Sequence, residues 1–263
     1  MFFRPLAMVL AAGLSTGALL AQSGGAEPDG LGVPSQPPPP SARAALSPEA
    51  RGDIYMARKM YREAIEAFRE GSPKDPVLQN KSGIAYHQMQ QLDSAKKCYE
   101  MAIRLKPDYM EAENNLGTVY YAKKNFRKAI GCYRRAVKMV AENARAASIY
   151  SNLGTAYFAR KQYPLATDAY QTALRLDPNV FETHGSFGVM LQERNVEERA
   201  KFHYYMAKLY AKSGRTELAL QYIRKALEEG FKERKKLEED PEFAAMRDLP
   251  EFKELLAWEP RVL

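Results

Sequence analysis

A short residue pattern returns several times at a spacing near 34, and nothing else in the 263-residue chain constrains its fold so tightly. Gly83, Tyr86, Ala95, Tyr99, Ala102 and Pro107 come back as Gly117, Tyr120, Ala129, Tyr133 and Ala136, then as Gly154, Tyr157, Ala166, Tyr170, Ala173 and Pro178. A period of this length marks stacked helical hairpins. A single hairpin leaves an apolar flank bare, so each is stabilised by docking on its neighbours, and the product is a curved rod with a long groove. Gly52 and Gly83 stand 31 residues apart, which predicts a second helix cut short at Gly71, Ser72 and Pro73 in the first unit. Gly117 and Gly154 stand 37 apart, which predicts a longer turn around Asn143 to Arg145.

The two ends read differently. Arg4 precedes an apolar run from Leu6 to Leu20, and Ala21 is followed by Gln22 and Ser23. Residues 1–21 therefore have the order of a secretory signal peptide, with cleavage expected after Ala21. The run falls short of the roughly 18 to 20 residues that span a bilayer, which leaves an uncleaved anchor as the alternative. Residues 22–45 are rich in Gly, Ser, Ala and Pro, including Pro37 to Pro40, and carry little to bury; a disordered linker is expected. Ser47, Pro48 and Glu49 supply an N-cap, a first-turn proline and an early acid. Residues 46–230 are thus expected to hold five to six hairpin units. Val196 to Lys212 reads as one helix shared by two registers: Ala200 and Tyr204 suit a second helix, Ala207 and Tyr210 a first one. A turn at Gly214 and a stop at Gly230 follow. Residues 231–263 contain Phe243, Met246, Leu249, Phe252, Leu255, Leu256 and Trp258, and are expected to form short helices capping the open end.

Lys plus Arg outnumber Asp plus Glu by 39 to 32, and twelve bases face five acids between Ala95 and Arg145. Many of these bases fall on second helices, the convex side, as solvated surface or as a weak contact with an anionic surface. No nucleic-acid motif accompanies them, so no nucleic-acid partner is expected. Cys98 and Cys132 hold the same place in successive units, where equivalent atoms lie roughly 8 to 10 Å apart, beyond the about 4.4 to 6.8 Å that a disulfide needs between Cα atoms. His87, His184 and His203 are scattered without the short spacing of a metal site, and no segment matches a phosphate loop. No cofactor, metal or catalytic residue is expected.

These residues, with the phrases Asn115 to Tyr120 (NLGTVY) and Asn152 to Tyr157 (NLGTAY), resemble the tetratricopeptide repeat family over roughly Ala45 to Gly230. The resemblance implies an all-α, right-handed superhelical solenoid of helix-turn-helix repeats. Small residues at the eighth and twentieth positions let paired helices approach, an aromatic at the twenty-fourth wedges against the next pair, and proline at the thirty-second ends the second helix. It also implies a peptide groove lined by first helices, at positions matching Asn80, Ile84, His87 and Gln88 in the second unit, Asn114, Thr118 and Tyr121 in the third, and Ser151, Thr155 and Phe158 in the fourth. Asn115 and Asn152 lie beside them, and either grip a peptide backbone or satisfy helix packing. Some relatives hold a terminal carboxylate with cations on their first helices; Glu49, Asp53 and Glu111 stand against that scheme here.

The expectation is an exported, non-catalytic scaffold that binds a polypeptide partner in its concave groove, in a periplasmic or secreted setting of a bacterium. Two alternatives stay open: a self-associating envelope structural protein, and a substrate-platform subunit of an enzyme complex that uses His87 or Cys98.

Overall fold

Helices follow one another in antiparallel pairs, each pair built by the same local chemistry. The computed structural model describes residues 46–140, 144–183 and 195–258. Four pairs come first: α1 (Pro48–Ala57) with α2 (Tyr61–Arg69), α3 (Pro76–Gln88) with α4 (Leu92–Leu105), α5 (Met110–Ala122) with α6 (Phe126–Met139), and α7 (Ala144–Ala159) with α8 (Tyr163–Leu176). A short α9 (Val180–Thr183) precedes the pair α10 (Val196–Lys212) and α11 (Thr216–Glu228). The chain closes with α12 (Lys235–Glu239), a 3-10 turn (Pro241–Met246) and α13 (Pro250–Ala257). No strand occurs among the described residues, and the successive pairs make a helical-repeat solenoid.

Caps and turns set the helix ends. The Ser47 hydroxyl accepts from the Ala50 N–H at 3.1 Å, and the Asp75 carboxylate accepts from Val77 N–H at 2.8 Å, each followed by a proline that needs no bond of its own. Within every pair the turn uses one left-handed residue: Lys59, Gln90, Lys124, Lys161 and Gly214, with φ between 57° and 72°. The N–H groups of the next residues, Met60, Gln91, Asn125, Gln162 and Arg215, return to the carbonyls of Tyr55, Tyr86, Tyr120, Tyr157 and Tyr210 at 2.8 to 3.0 Å. This Schellman closure satisfies carbonyls that the helix end would leave open.

The glycine and aromatic of the repeat meet inside their own hairpin. A Cβ on Gly83, Gly117 or Gly154 would lie 2.6 Å from the ring of Tyr99, Tyr133 or Tyr170, so the ring fills the space that glycine vacates. Tyr99 also packs with Leu116 and Val119 of the following hairpin, which is the wedge expected from the sequence. In the α10 and α11 pair the equivalent positions hold Ala207 and Ile223, both fully buried. The added methyl of alanine is matched by a smaller partner than a ring.

The first unit is short as expected, with nine residues in α2 against fourteen in α4, α6 and α8. The longer interval before Gly154 is used differently from the expectation. Ala144 and Arg145 belong to α7, which has 16 residues, so the insertion extends a first helix; Asn143 lies outside the described residues. The single helix over Val196–Lys212 is present. Phe181, Glu182 and Thr183 fall in α9, and residues 184–194, with His184, lie outside the described residues, as do residues 1–45.

The last segment folds back on the end of the rod. The 3-10 turn packs on α10 and α13 on α11, and Phe231, Leu237, Phe243, Met246, Phe252 and Leu255 join one apolar cluster with α8, α10 and α11. Tyr204 stacks on Phe231 at 4.5 Å between centroids, and its hydroxyl donates to Asp240. Trp258 has an exposed side chain, so the cap is built by Phe243, Phe252 and Leu255; Trp258 contributes its carbonyl, which accepts from Arg234 at 2.7 Å.

Candidate polypeptide-binding face

Successive first helices touch, α3 with α5 and α5 with α7, and polar side chains meet along that seam. Asn115 Nδ2 donates to Asn80 Oδ1 at 3.1 Å, and Asn152 Nδ2 donates to Asn114 Oδ1 at 3.1 Å. Tyr109 also reaches Asn80, and burial pushes its phenol up from the ordinary range. The amides thus pair across units, which settles part of the sequence alternative in favour of packing. Only one half of the Asn114, Asn115 and Asn152 amides is consumed. Asn114 Nδ2, Asn115 Oδ1 and Asn152 Oδ1 have no protein partner among the described residues, and none is fully enclosed. A backbone running along the seam meets a donor and two acceptors already held in place.

Charges beside the amides are cancelled within the protein. Lys81 of α3 bonds Glu49 at 2.7 Å and Asp53 at 2.6 Å on α1. Burial disfavours its ammonium, but the two carboxylates outweigh that and hold its pKa above the usual lysine value. Arg145 of α7 meets Glu111 of α5 at 2.6 Å. The acids that counted against a terminal-carboxylate clamp are engaged with the neighbouring unit. Inside the third hairpin, buried Glu113 takes both arms of Arg135 at 2.8 and 2.9 Å, a forked geometry that compensates its desolvation.

The other expected groove residues divide into two groups. Ile84, His87 and Gln88 of α3 and Tyr121 of α5 are half-buried and reach the surface. Burial lowers the pKa of His87, which favours a neutral ring. Thr118 and Thr155 are buried and bind the hairpin together. Each donates to the carbonyl four residues back, Asn114 at 3.2 Å and Ser151 at 2.9 Å, and accepts from the hydroxyl of Tyr133 at 3.3 Å or Tyr170 at 3.2 Å. Ser151 and Asn80 are buried as well. Phe158, expected as an apolar anchor, is 3% exposed. Tyr163, Phe202 and Tyr205 surround its ring at 5.0, 5.4 and 5.9 Å, so α10 closes the face that α7 would otherwise present there. The accessible face therefore centres on α3 and α5 and reaches Asn152 on α7.

The chemistry-bearing residues are elsewhere and apart. Cys98 and Cys132 are free thiols. Burial pushes both up, Cys132 to about 12 with Glu113 adding to the shift, so neither is poised as a thiolate. His203, buried between α10 and α11, faces Glu229 at 3.4 Å, and its burial lowers its pKa against that carboxylate. Among the described residues no three His, Cys, Asp or Glu side chains gather as a metal site, and no helix is long and apolar enough to cross a membrane.

Paired helices with a repeating glycine and aromatic, stacked so that first helices form one face, define a helical-repeat interaction scaffold. Models of the tetratricopeptide repeat match residues 108–179 and 200–229, and a TPR repeat model matches residues 83–124; the chain carries tetratricopeptide repeats. It is 27% identical over 137 residues to RNA polymerase II-associated protein 3 of Homo sapiens, covering 51% of this chain and 20% of that protein. It is 32% identical over 100 residues to the uncharacterized protein ycf37 of Guillardia theta, covering 35% of this chain and 56% of that protein. Small glutamine-rich tetratricopeptide repeat-containing protein 2 of Mycosarcoma maydis is 28% identical over 98 residues, 36% of this chain and 28% of its own length. The chain thus spans between 20% and 56% of the length of these relatives. Among solved structures, MamA superposes with a TM-score of 0.48 at 20% identity, over 68% of this chain and 93% of MamA.

Proposed function

We propose that the chain is a non-catalytic scaffold that holds an extended segment of a partner polypeptide along its first helices, outside the cytoplasm. The observation that carries this reading is the half-used amide row. Asn114, Asn115 and Asn152 are fixed by inter-unit bonds yet keep a donor and two acceptors in reach of solvent. Preorganised polar groups cost little entropy on binding, and hydrogen bonds to a backbone serve many sequences. Gln88 and Tyr121 flank the row and add a polar and an aromatic contact. The extracytoplasmic setting rests on residues 1–21, whose single Arg, apolar run and small residue at Ala21 have the order of an export signal. Replacing Asn114 and Tyr121 together by alanine is expected to weaken partner capture by about tenfold or more while helical content by circular dichroism is unchanged. Unchanged capture would remove the groove from the account.

A further inference from the structure

The sequence placed the basic excess on the convex surface, and ion pairs among the described residues engage four of the twelve bases between Ala95 and Arg145. Arg135 is taken by Glu113, Arg145 by Glu111, Lys96 by Glu100 and Lys123 by Asp93. What remains includes a cluster at the turn edge. A shallow cleft of about 440 Å3 lies between the α5–α6 turn and the α7–α8 turn, lined by Lys123, Lys124, Asn125, Phe126, Arg127 and Arg160. Lys124, Arg127 and Arg160 are exposed, and none has a carboxylate partner among the described residues. Asn125 caps α6 by accepting from Lys128 N–H at 3.2 Å, so the positive end of that helix adds to the same field.

The cleft adjoins the candidate groove. Phe126 in its wall lies 5.1 Å, centroid to centroid, from Tyr121 at the end of α5. The groove itself offers amides and internally cancelled charges, whereas its lip at this point offers three uncancelled cations. We propose that this cleft takes the carboxylate side chains of an acidic stretch of the polypeptide held along the first helices. The assignment rests on the groove reading and adds to it the chemistry of the partner. Two guanidinium forks on this shallow surface suit carboxylates carried on a chain that passes Tyr121. A lipid surface would instead draw also on the exposed cations of the second helices, such as Arg104 and Lys138.

The test uses the full chain and two fluorescent peptides of about a dozen residues, one alternating Glu with apolar residues and one with every Glu replaced by Gln, followed by anisotropy at low and raised salt. The Glu peptide is expected to bind about tenfold more tightly than the Gln peptide, with the difference shrinking as salt rises. The variant Lys124→Glu, Arg127→Glu, Arg160→Glu is expected to bring the two peptides to equal affinity. The Asn114→Ala, Tyr121→Ala variant is expected to weaken both peptides by one factor and to keep the preference for Glu. Equal binding of both peptides to the unaltered chain, or an unchanged preference in the charge-reversed variant, would overturn the proposal. Anionic phospholipid vesicles that bind through these three cations, with no peptide preference, would overturn it in favour of a membrane contact. If the groove variant leaves both affinities intact while charge reversal still removes the preference, the cleft stands as an acid site and the groove reading fails.

Discussion

The central hairpins and the C-terminal hairpin share one architecture and solve the same exposure problem in opposite ways. In α3 to α8 each first-helix glycine, Gly83, Gly117 and Gly154, admits a tyrosine ring, and in the α5–α6 and α7–α8 pairs that tyrosine's hydroxyl meets Thr118 or Thr155; the first-helix seam is tied by Asn80 with Asn115 and Asn114 with Asn152. In α10 and α11 an Ala207 and Ile223 pair replaces glycine and ring, Tyr204 stacks on Phe231, and Lys208 meets Asp240 at 2.9 Å and Glu242 at 3.2 Å. The chain's own tail covers that unit with Phe243 and Phe252. Polar pairs with spare valences mark the face that stays open, and apolar burial marks the end that is closed. A repeat protein that binds needs both, since an unclosed end would compete for the same apolar contacts as a partner.

Removing the closure is expected to have the largest effect. Phe252→Ala deletes a fully buried ring and is expected to cost about 3 to 5 kcal/mol in chemical denaturation, with the loss borne by the C-terminal unit. Hydrogen exchange should then show α10 and α11 opening before α5 and α6; uniform opening would mean the units do not differ in this way. A smaller effect probes the two packing solutions. Gly117→Ala puts a methyl 2.6 Å from the Tyr133 ring and is expected to cost about 1 to 3 kcal/mol. Pairing it with Tyr133→Ile imitates the C-terminal solution, and the double variant should be less damaged than the sum of the singles by about 1 kcal/mol. Strict additivity would show that Ala207 and Ile223 are not an equivalent pair. The smallest effect concerns the turns, where the central units use Lys or Gln and the C-terminal hairpin uses Gly214 in the same left-handed position. Lys124→Gly is expected to stabilise by about 1 kcal/mol, and Gly214→Lys to destabilise by a similar amount, both read as shifts in the denaturation midpoint.

The sequence reveals the period, the pair boundaries and the capping tail because these rest on residue type alone. Gly, Tyr, Ala and Pro at fixed offsets admit one local geometry. It also locates the amides of the first helices. It does not reveal which of them are free, because Asn114 and Asn152 are paired across 38 residues and the partner of an amide is a matter of tertiary register. Phe158 illustrates the same limit. Its position matches a half-buried one that reaches the surface in the preceding unit, Tyr121, but α10 brings Phe202 and Tyr205 over it. Thr118 and Thr155 read as groove residues from spacing, and only the approach of Tyr133 and Tyr170 shows their hydroxyls to be internal. The length of α7 was hidden because an insertion can lengthen a turn or a helix with the same count of residues.

The most direct test of the account places a photocrosslinking residue in the full chain either at Gln88, on the first-helix face, or at Met139, exposed on the second helix α6, and offers a library of extended peptides. The account predicts peptide adducts at Gln88, competed away by the Asn114→Ala, Tyr121→Ala change made in the same chain, and background levels at Met139. Adducts confined to Met139, or equal at both positions, would contradict it.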